Sequence, residues 1–263
     1  MIRIDEEEDA LVICSNYSNK LDDKLKKSIR KYDKLIFSDD FNEKISWLPS
    51  TTKSIRFETD YEFALDNLPV KLERLVFMFD CNQSVDNLPN NIQTIFFGAN
   101  FSQPIDMLPE SVIELVFLGL FNLPIDNLPR GLKKLNLGYK FNNTLFNLPK
   151  NLEYLNVGMS FNQPLGNLPN SITVLHLGKS FNNKLTVLPK NIDEVIFDSQ
   201  SNYVSEFETV YFGVFEKKQS HGHYIFKKIQ NIDLEKKTET GLYDYIIEKA
   251  YGLMKFFEYD IFE

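Results

Sequence analysis

Residues 41–200 consist of one 20-residue unit repeated eight times without insertion. The units, numbered one to eight, begin at Phe41, Tyr61, Cys81, Phe101, Phe121, Phe141, Phe161 and Phe181. Every unit carries Leu-Pro at its eighth and ninth positions, and the clearest one reads FNQPLGNLPNSITVLHLGKS. A fixed period of this length predicts a solenoid, because so short a unit buries its apolar face only against its neighbours.

One stretch of each unit has the pattern of a β-strand, as Leu132, Leu135, Leu137 and Gly138 illustrate. Side chains alternate across a strand, so residues 135 and 137 face one side and residue 136 faces the other. The recurring Leu, Ile, Phe and Val must face inward, since burying each is worth roughly 1.5–3 kcal/mol. The sequence therefore predicts a β-rich, leucine-rich-repeat-like solenoid with a parallel sheet on its concave face.

The rest of each unit reads F-N-x-P-L-x-x-L-P, which predicts an irregular, extended convex side. Proline lacks an N–H group and fixes φ, so it disfavours a helix or an interior strand here. We expect the first-position Phe residues to stack as an internal spine. We also expect the second-position Asn residues to hydrogen-bond to the backbone of neighbouring turns. These are Asn42, Asn82, Asn122, Asn142, Asn162 and Asn182.

The repeat becomes imperfect at both ends. Residues 1–40 are predicted to form an N-terminal cap, with an acidic tract in residues 5–9, and an imperfect unit. Residues 201–263 are predicted to form a degenerate ninth repeat that includes Phe207, then a hairpin with EKKQSHG as its turn. The last 24 residues predict an amphipathic α-helical cap over the open end of the solenoid. Its apolar face is Leu242, Ile246, Ala250, Leu253 and Phe257.

Composition and charge disfavour several classes of partner and indicate a cellular location. The net charge of −8 disfavours nucleic acids and anionic membranes, because both bind basic surfaces. The start, MIRIDEEEDA, lacks the basic and apolar regions of a signal peptide, and no apolar stretch is long enough to span a membrane. Cys14 and Cys81 do not suggest a disulfide framework. We expect a cytoplasmic protein, located in the host cytoplasm if the chain is viral.

No catalytic, cofactor-binding or metal site is predicted. Hydrolase, metalloprotease, P-loop and Cys-x-x-Cys motifs are all missing from the sequence. His221 and His223 could both bind a metal ion, but the sequence offers no third ligand beside them. A polar turn is therefore the simpler interpretation. His176, at an outward strand position, is interpreted as a surface residue.

The outward strand positions of units two to four are apolar where a monomer should be polar. If the register is right, a contiguous apolar patch with a charged rim marks an interface with a partner protein. Its predicted partner-binding residues are Arg74, Val76, Met78, Phe96, Val116, Leu118, Lys134 and Tyr154. Two alternatives are that a terminal segment folds over the patch, or that the sheet simply tolerates β-formers.

The segments FSQPI, FNLPI and FNQPL, with the Leu-Pro pairs and the LxxLxLG strands, resemble the FNIP repeat. That family is counted among the leucine-rich-repeat-like solenoids and is best known from slime moulds and giant viruses of amoebae. The resemblance implies a protein-interaction scaffold. Some members carry an F-box ahead of the repeats and look like substrate adaptors of ubiquitin ligases. Residues 1–40 show no F-box helix pattern, so the resemblance implies at most an adaptor without a visible F-box.

The leading hypothesis is a non-enzymatic scaffold that binds an unidentified protein on its strand-lined face, without cofactors. The alternative is a structural protein that self-associates through its aromatic C-terminal helix, which includes Tyr243, Tyr251, Phe256 and Phe257. We expect a monomer rather than an oligomer.

Overall fold

One sheet of thirteen strands runs through the part of the chain that the computed structural model describes. In chain order the strands are β1 Ile2–Asp5, β2 Ala10–Ile13, β3 Lys34–Phe37, β4 Ser54–Phe57, β5 Arg74–Phe77, β6 Thr94–Phe97, β7 Glu114–Phe117, β8 Lys134–Asn136, β9 Tyr154–Asn156, β10 Val174–Leu177, β11 Glu194–Asp198, β12 Phe215–Ser220 and β13 His223–Lys228. Strands β2 to β11 pair in parallel in chain order. At the two ends, β1 pairs antiparallel with β2, and β13 pairs antiparallel with β11 and β12.

The described residues all lie in the first of two bodies, residues 1–228 and 229–263. They are 2–5, 9–14, 27, 29–38, 41, 43–185, 187–210 and 215–228. The predicted C-terminal helix lies outside them, as do Asn42 and the start of the imperfect unit.

The register of the sheet equals the sequence period. Leu75 pairs with Ile95, and Ile95 pairs with Leu115, each 20 residues further along the chain. The prediction of a β-rich solenoid with a parallel sheet and 20-residue units is confirmed. In the imperfect unit, the strand predicted around Leu35 and Phe37 is β3, and the cap region supplies the edge strand β1.

Two aromatic columns fill the core. The predicted spine is confirmed, since the Phe121 ring stacks on the Phe141 ring at 6.3 Å with an interplanar angle of 8°. A second column, formed by the last residue of each strand, runs beside it in the first half, where Phe57 stacks on Phe77 at 5.1 Å. Cys81 interrupts the spine; burial raises its pKa to about 12, so its sulfur stays a thiol.

The second-position asparagines link each unit to the next. Asn82, Asn122, Asn142 and Asn162 each accept a hydrogen bond at Oδ1 from the backbone N–H 20 residues later, at 2.8–3.0 Å. This confirms their predicted structural role, although the four side chains are exposed rather than buried. Each rung of the solenoid is therefore tied to its neighbour outside the sheet as well as within it.

Beyond β11 the sequence departs from the repeat, and so does the fold. Phe207 lies in a short helix, α1 (Val204–Val210), and its ring packs 5.1 Å from Phe197 and 4.9 Å from Phe226 at the end of the core. The predicted hairpin is present, but its turn is only His221-Gly222, with φ of 45° and 76°. A two-residue turn with both φ positive matches strand twist, so most of EKKQSHG belongs to β12.

Thr52 offers a test of the packing. It is fully buried at the twelfth position of unit one, and its Oγ1 has no hydrogen-bond partner among the described residues. Later units have an aliphatic residue here: Leu72, Ile92, Val112, Leu132, Leu152, Ile172 and Ile192. We expect Thr52→Val to raise the free energy of unfolding by about 1 kcal/mol, because it removes an unsatisfied hydroxyl without changing the side-chain shape.

Denaturant unfolding measures this change, and the melting temperature should rise by about 2–4 °C. Thr173→Val is the matched control, because the Thr173 hydroxyl donates a hydrogen bond to the Glu153 carbonyl at 3.2 Å and sits at a more exposed position. Stabilisation confined to position 52 supports the packing described here. Equal effects of the two substitutions would contradict it.

Candidate interaction surface

The face of the sheet opposite the core carries the predicted partner-binding residues. Val76, Phe96 and Val116 are consecutive in register on β5, β6 and β7. All three lie outside the main core cluster, whereas Leu75, Ile95 and Leu115 lie within it. The side-chain alternation predicted from the sequence therefore brings these three residues together in one apolar row.

The three side chains of the apolar row are buried rather than open to solvent. Val76 and Val116 are 4% exposed and Phe96 is 9% exposed. The Arg74 guanidinium carbon lies 5.0 Å from the centre of the Phe96 ring, which is a cation–π distance. Met78 and Leu118, which follow β5 and β7, are half-buried, and Arg74 is exposed. The more accessible side chains next to the row are therefore Arg74, Met78 and Leu118.

Lys134 and Tyr154 extend the face along β8 and β9. In register, Glu114 pairs with Lys134, and Lys134 pairs with Tyr154. Lys134 is half-buried and Tyr154 is buried. The eight predicted residues thus belong to five adjacent strands or to the residues directly after them, and four of the eight are buried.

The face becomes polar in units five to seven, where Asn136, Asn156 and His176 follow one another across the sheet. Asn136 and Asn156 each accept a hydrogen bond at Oδ1 from the backbone N–H two residues later, at 3.0 and 2.9 Å. The donors are the N–H groups of Gly138 and Gly158. Their φ values of 72° and 82° end β8 and β9 one residue earlier in the unit than β7 ends. An Asn-x-Gly sequence therefore sets strand length in this solenoid.

The interpretation of His176 as a surface residue was wrong. It is 2% exposed, and its Nδ1 has no hydrogen-bond partner among the described residues. Its ring lies 5.1 Å from that of His223, edge to face, because β13 returns antiparallel beside β11. Burial, with a smaller contribution from His223, lowers the pKa of His176 to about 3.

His223 is also buried, and its Nδ1 lies 2.9 Å from the carbonyl oxygen of His221. Burial lowers the pKa of His223, while the nearby Asp198 acts in the opposite direction. Among the described residues, no three His, Cys, Asp or Glu side chains are placed to hold a metal ion together. No helix within those same ranges is long and apolar enough to cross a membrane.

Sequence analysis missed a second exposed feature, in the loops that follow the strands. Phe79, Leu120 and Tyr139 are large side chains with 44%, 48% and 38% of their surface exposed. They occupy the last two positions of units two, four and five. A comparison of these two positions across the eight units would have identified them, because the other units have mainly small or polar residues there.

The buried histidines predict a pH dependence of stability. A folded-state pKa below the unfolded value means that the unfolded chain binds protons more readily, so stability falls as the pH drops from about 6.5 towards 3. At pH 5.5 His176 alone should lower the free energy of unfolding by about 1.4 kcal/mol relative to its value well above pH 6.5. His176→Asn, which introduces the residue of the two preceding units, should remove that part of the dependence.

Urea unfolding between pH 7.5 and 5 measures the effect. His221→Asn is the control, because His221 is exposed and asparagine tolerates its positive φ. An unchanged pH dependence in His176→Asn would show that His176 is not held neutral by burial.

Comparison with protein families gave one match. The model of the FNIP repeat matches residues 82–119 and 161–200, which lie in units three and four and in units seven and eight. A comparison with curated proteins found no significant match. The matched segments contain part of the Phe spine, several of the Asn links and the Leu-Pro pairs of these units.

Proposed function

Because the chain is an FNIP repeat-containing protein, we propose that it is a non-enzymatic scaffold that binds a partner protein on its strand-lined face. The observation that carries the proposal is the exposed Arg74 and the half-buried Met78 and Leu118 beside the apolar row Val76, Phe96 and Val116 on a continuous sheet. A rigid sheet fixes the spacing of such side chains, so little conformational entropy is lost when a partner binds.

The accessible parts of this face indicate which contacts would anchor the partner. Arg74 and Phe96 form a stacked pair, and arginine and aromatic residues are enriched among residues that dominate binding energy. Met78 and Leu118 flank the row and are half-buried, so they offer apolar surface without needing the core to open. Methionine adapts its shape to a partner at low cost.

The rim favours a protein partner of mixed charge. Arg74, Glu114 and Lys134 begin β5, β7 and β8 and so lie along one edge of the row, where Thr94 donates a hydrogen bond to the Glu114 carboxylate at 3.4 Å. With a net charge of −8, the chain as a whole is a poor ligand for nucleic acids or anionic membranes. We propose that the partner is met in the cytoplasm, of the host if the chain is viral.

The test compares affinity capture from amoebal cytosol by wild type and by Arg74→Glu, Met78→Glu. These two substitutions place charge at the accessible edge of the row and leave its buried members intact. A partner bound through this face should lose at least tenfold in affinity, which is about 1.4 kcal/mol. The captured protein is then purified and titrated against both forms.

Phe146→Glu serves as the control, because Phe146 is exposed on the return side of unit six. It should capture the same protein as wild type. If the Arg74→Glu, Met78→Glu variant retains wild-type affinity while circular dichroism shows it folded, the strand-lined face is not the binding site.

A further inference from the structure

The loops after the strands form a continuous strip, which we call the loop ridge: Phe79, Asp80, Ala99, Leu120, Tyr139 and Lys140. Backbone hydrogen bonds join its loops, from Leu120 N–H to the Ala99 carbonyl at 2.6 Å and from Lys140 N–H to the Gly119 carbonyl at 3.0 Å. The Asn100 side-chain amide donates to the Asp80 carboxylate and connects the ridge towards unit two.

The loop ridge combines exposed apolar groups with opposite charges at its two ends. Phe79 and Asp80 lie at the end of unit two, whereas Tyr139 and Lys140 lie at the end of unit five. The Lys140 ammonium sits 5.3 Å from the centre of the Tyr139 ring, so the basic end is also an aromatic end. Between the two ends, Leu120 projects into solvent beside the small Ala99.

We propose that the loop ridge binds the loop ridge of a second copy of this chain in a two-fold symmetric dimer. An axis between units three and four brings unit two opposite unit five, because the units are evenly spaced. It therefore places Phe79 against Tyr139, Asp80 against Lys140, and Leu120 against Asn100. An aromatic ring meets an aromatic ring and each acid meets a base at both ends of the contact, so the surface is self-complementary, as an isologous interface requires.

The size of the ridge sets the strength of the dimer. Its loops span about 15 Å along the solenoid at the strand spacing of about 4.8 Å, which places the contact among small, transient interfaces. We expect a dimer whose dissociation constant is micromolar or weaker. The sequence alone had predicted a monomer.

Charge reversal tests the proposal on the full chain. Asp80→Lys places a lysine opposite Lys140 of the second copy, and Lys140→Glu places a glutamate opposite Asp80. Each variant alone should lose at least tenfold in dimer affinity in sedimentation velocity across roughly 5–500 μM. An equimolar mixture of the two variants should dimerise at least as well as wild type, because every opposed pair is then oppositely charged.

The control pair makes the same charge changes away from the ridge, at the exposed Asp66 and Lys150, as Asp66→Lys and Lys150→Glu. Both controls should dimerise like wild type. A wild-type chain that stays monomeric throughout this range overturns the proposal. So does a dimer that both charge reversals leave unchanged, because self-association would then use another surface. Recovery in the mixture also shows that the variants are folded.

Discussion

From β3 to β11, the pairing of strand residues with those 20 positions further on is the constraint from which the rest of this structure follows. Because the register never slips between β4 and β11, each position of the unit becomes a column along the solenoid. A side chain must therefore suit its counterparts in the units before and after it. Phenylalanine stacks on phenylalanine, and one unit's Asn side chain meets the next unit's backbone N–H.

The same constraint explains where binding surfaces arise. Core columns tolerate little change, as the fully buried Leu75, Ile95 and Leu115 illustrate, because each packs against its counterparts in the neighbouring units. Columns outside the main core cluster are freer to vary from unit to unit, and a local feature forms wherever neighbouring units share a property. The apolar row of units two to four and the loop ridge of units two to five are both such local departures from the average unit.

Sequence analysis predicted most of the fold because periodicity reports directly on neighbours. The parallel sheet, the Phe spine and the Asn links all follow from contacts between residue i and residue i + 20. His176 was misplaced because its neighbour His223 belongs to an antiparallel hairpin that no period relates to it. The membership of the apolar row was predictable, but its low exposure was not, since exposure depends on side-chain packing such as Arg74 over Phe96.

Removing residues in phase and out of phase tests the register most directly. Deleting residues 121–140 removes one whole unit and leaves every remaining column continuous. That chain should unfold cooperatively with a wild-type strand signal in circular dichroism. Deleting only residues 121–130 places strand positions against turn positions and should abolish cooperative unfolding. Equal stability of the two deletion variants would contradict a solenoid held by this register.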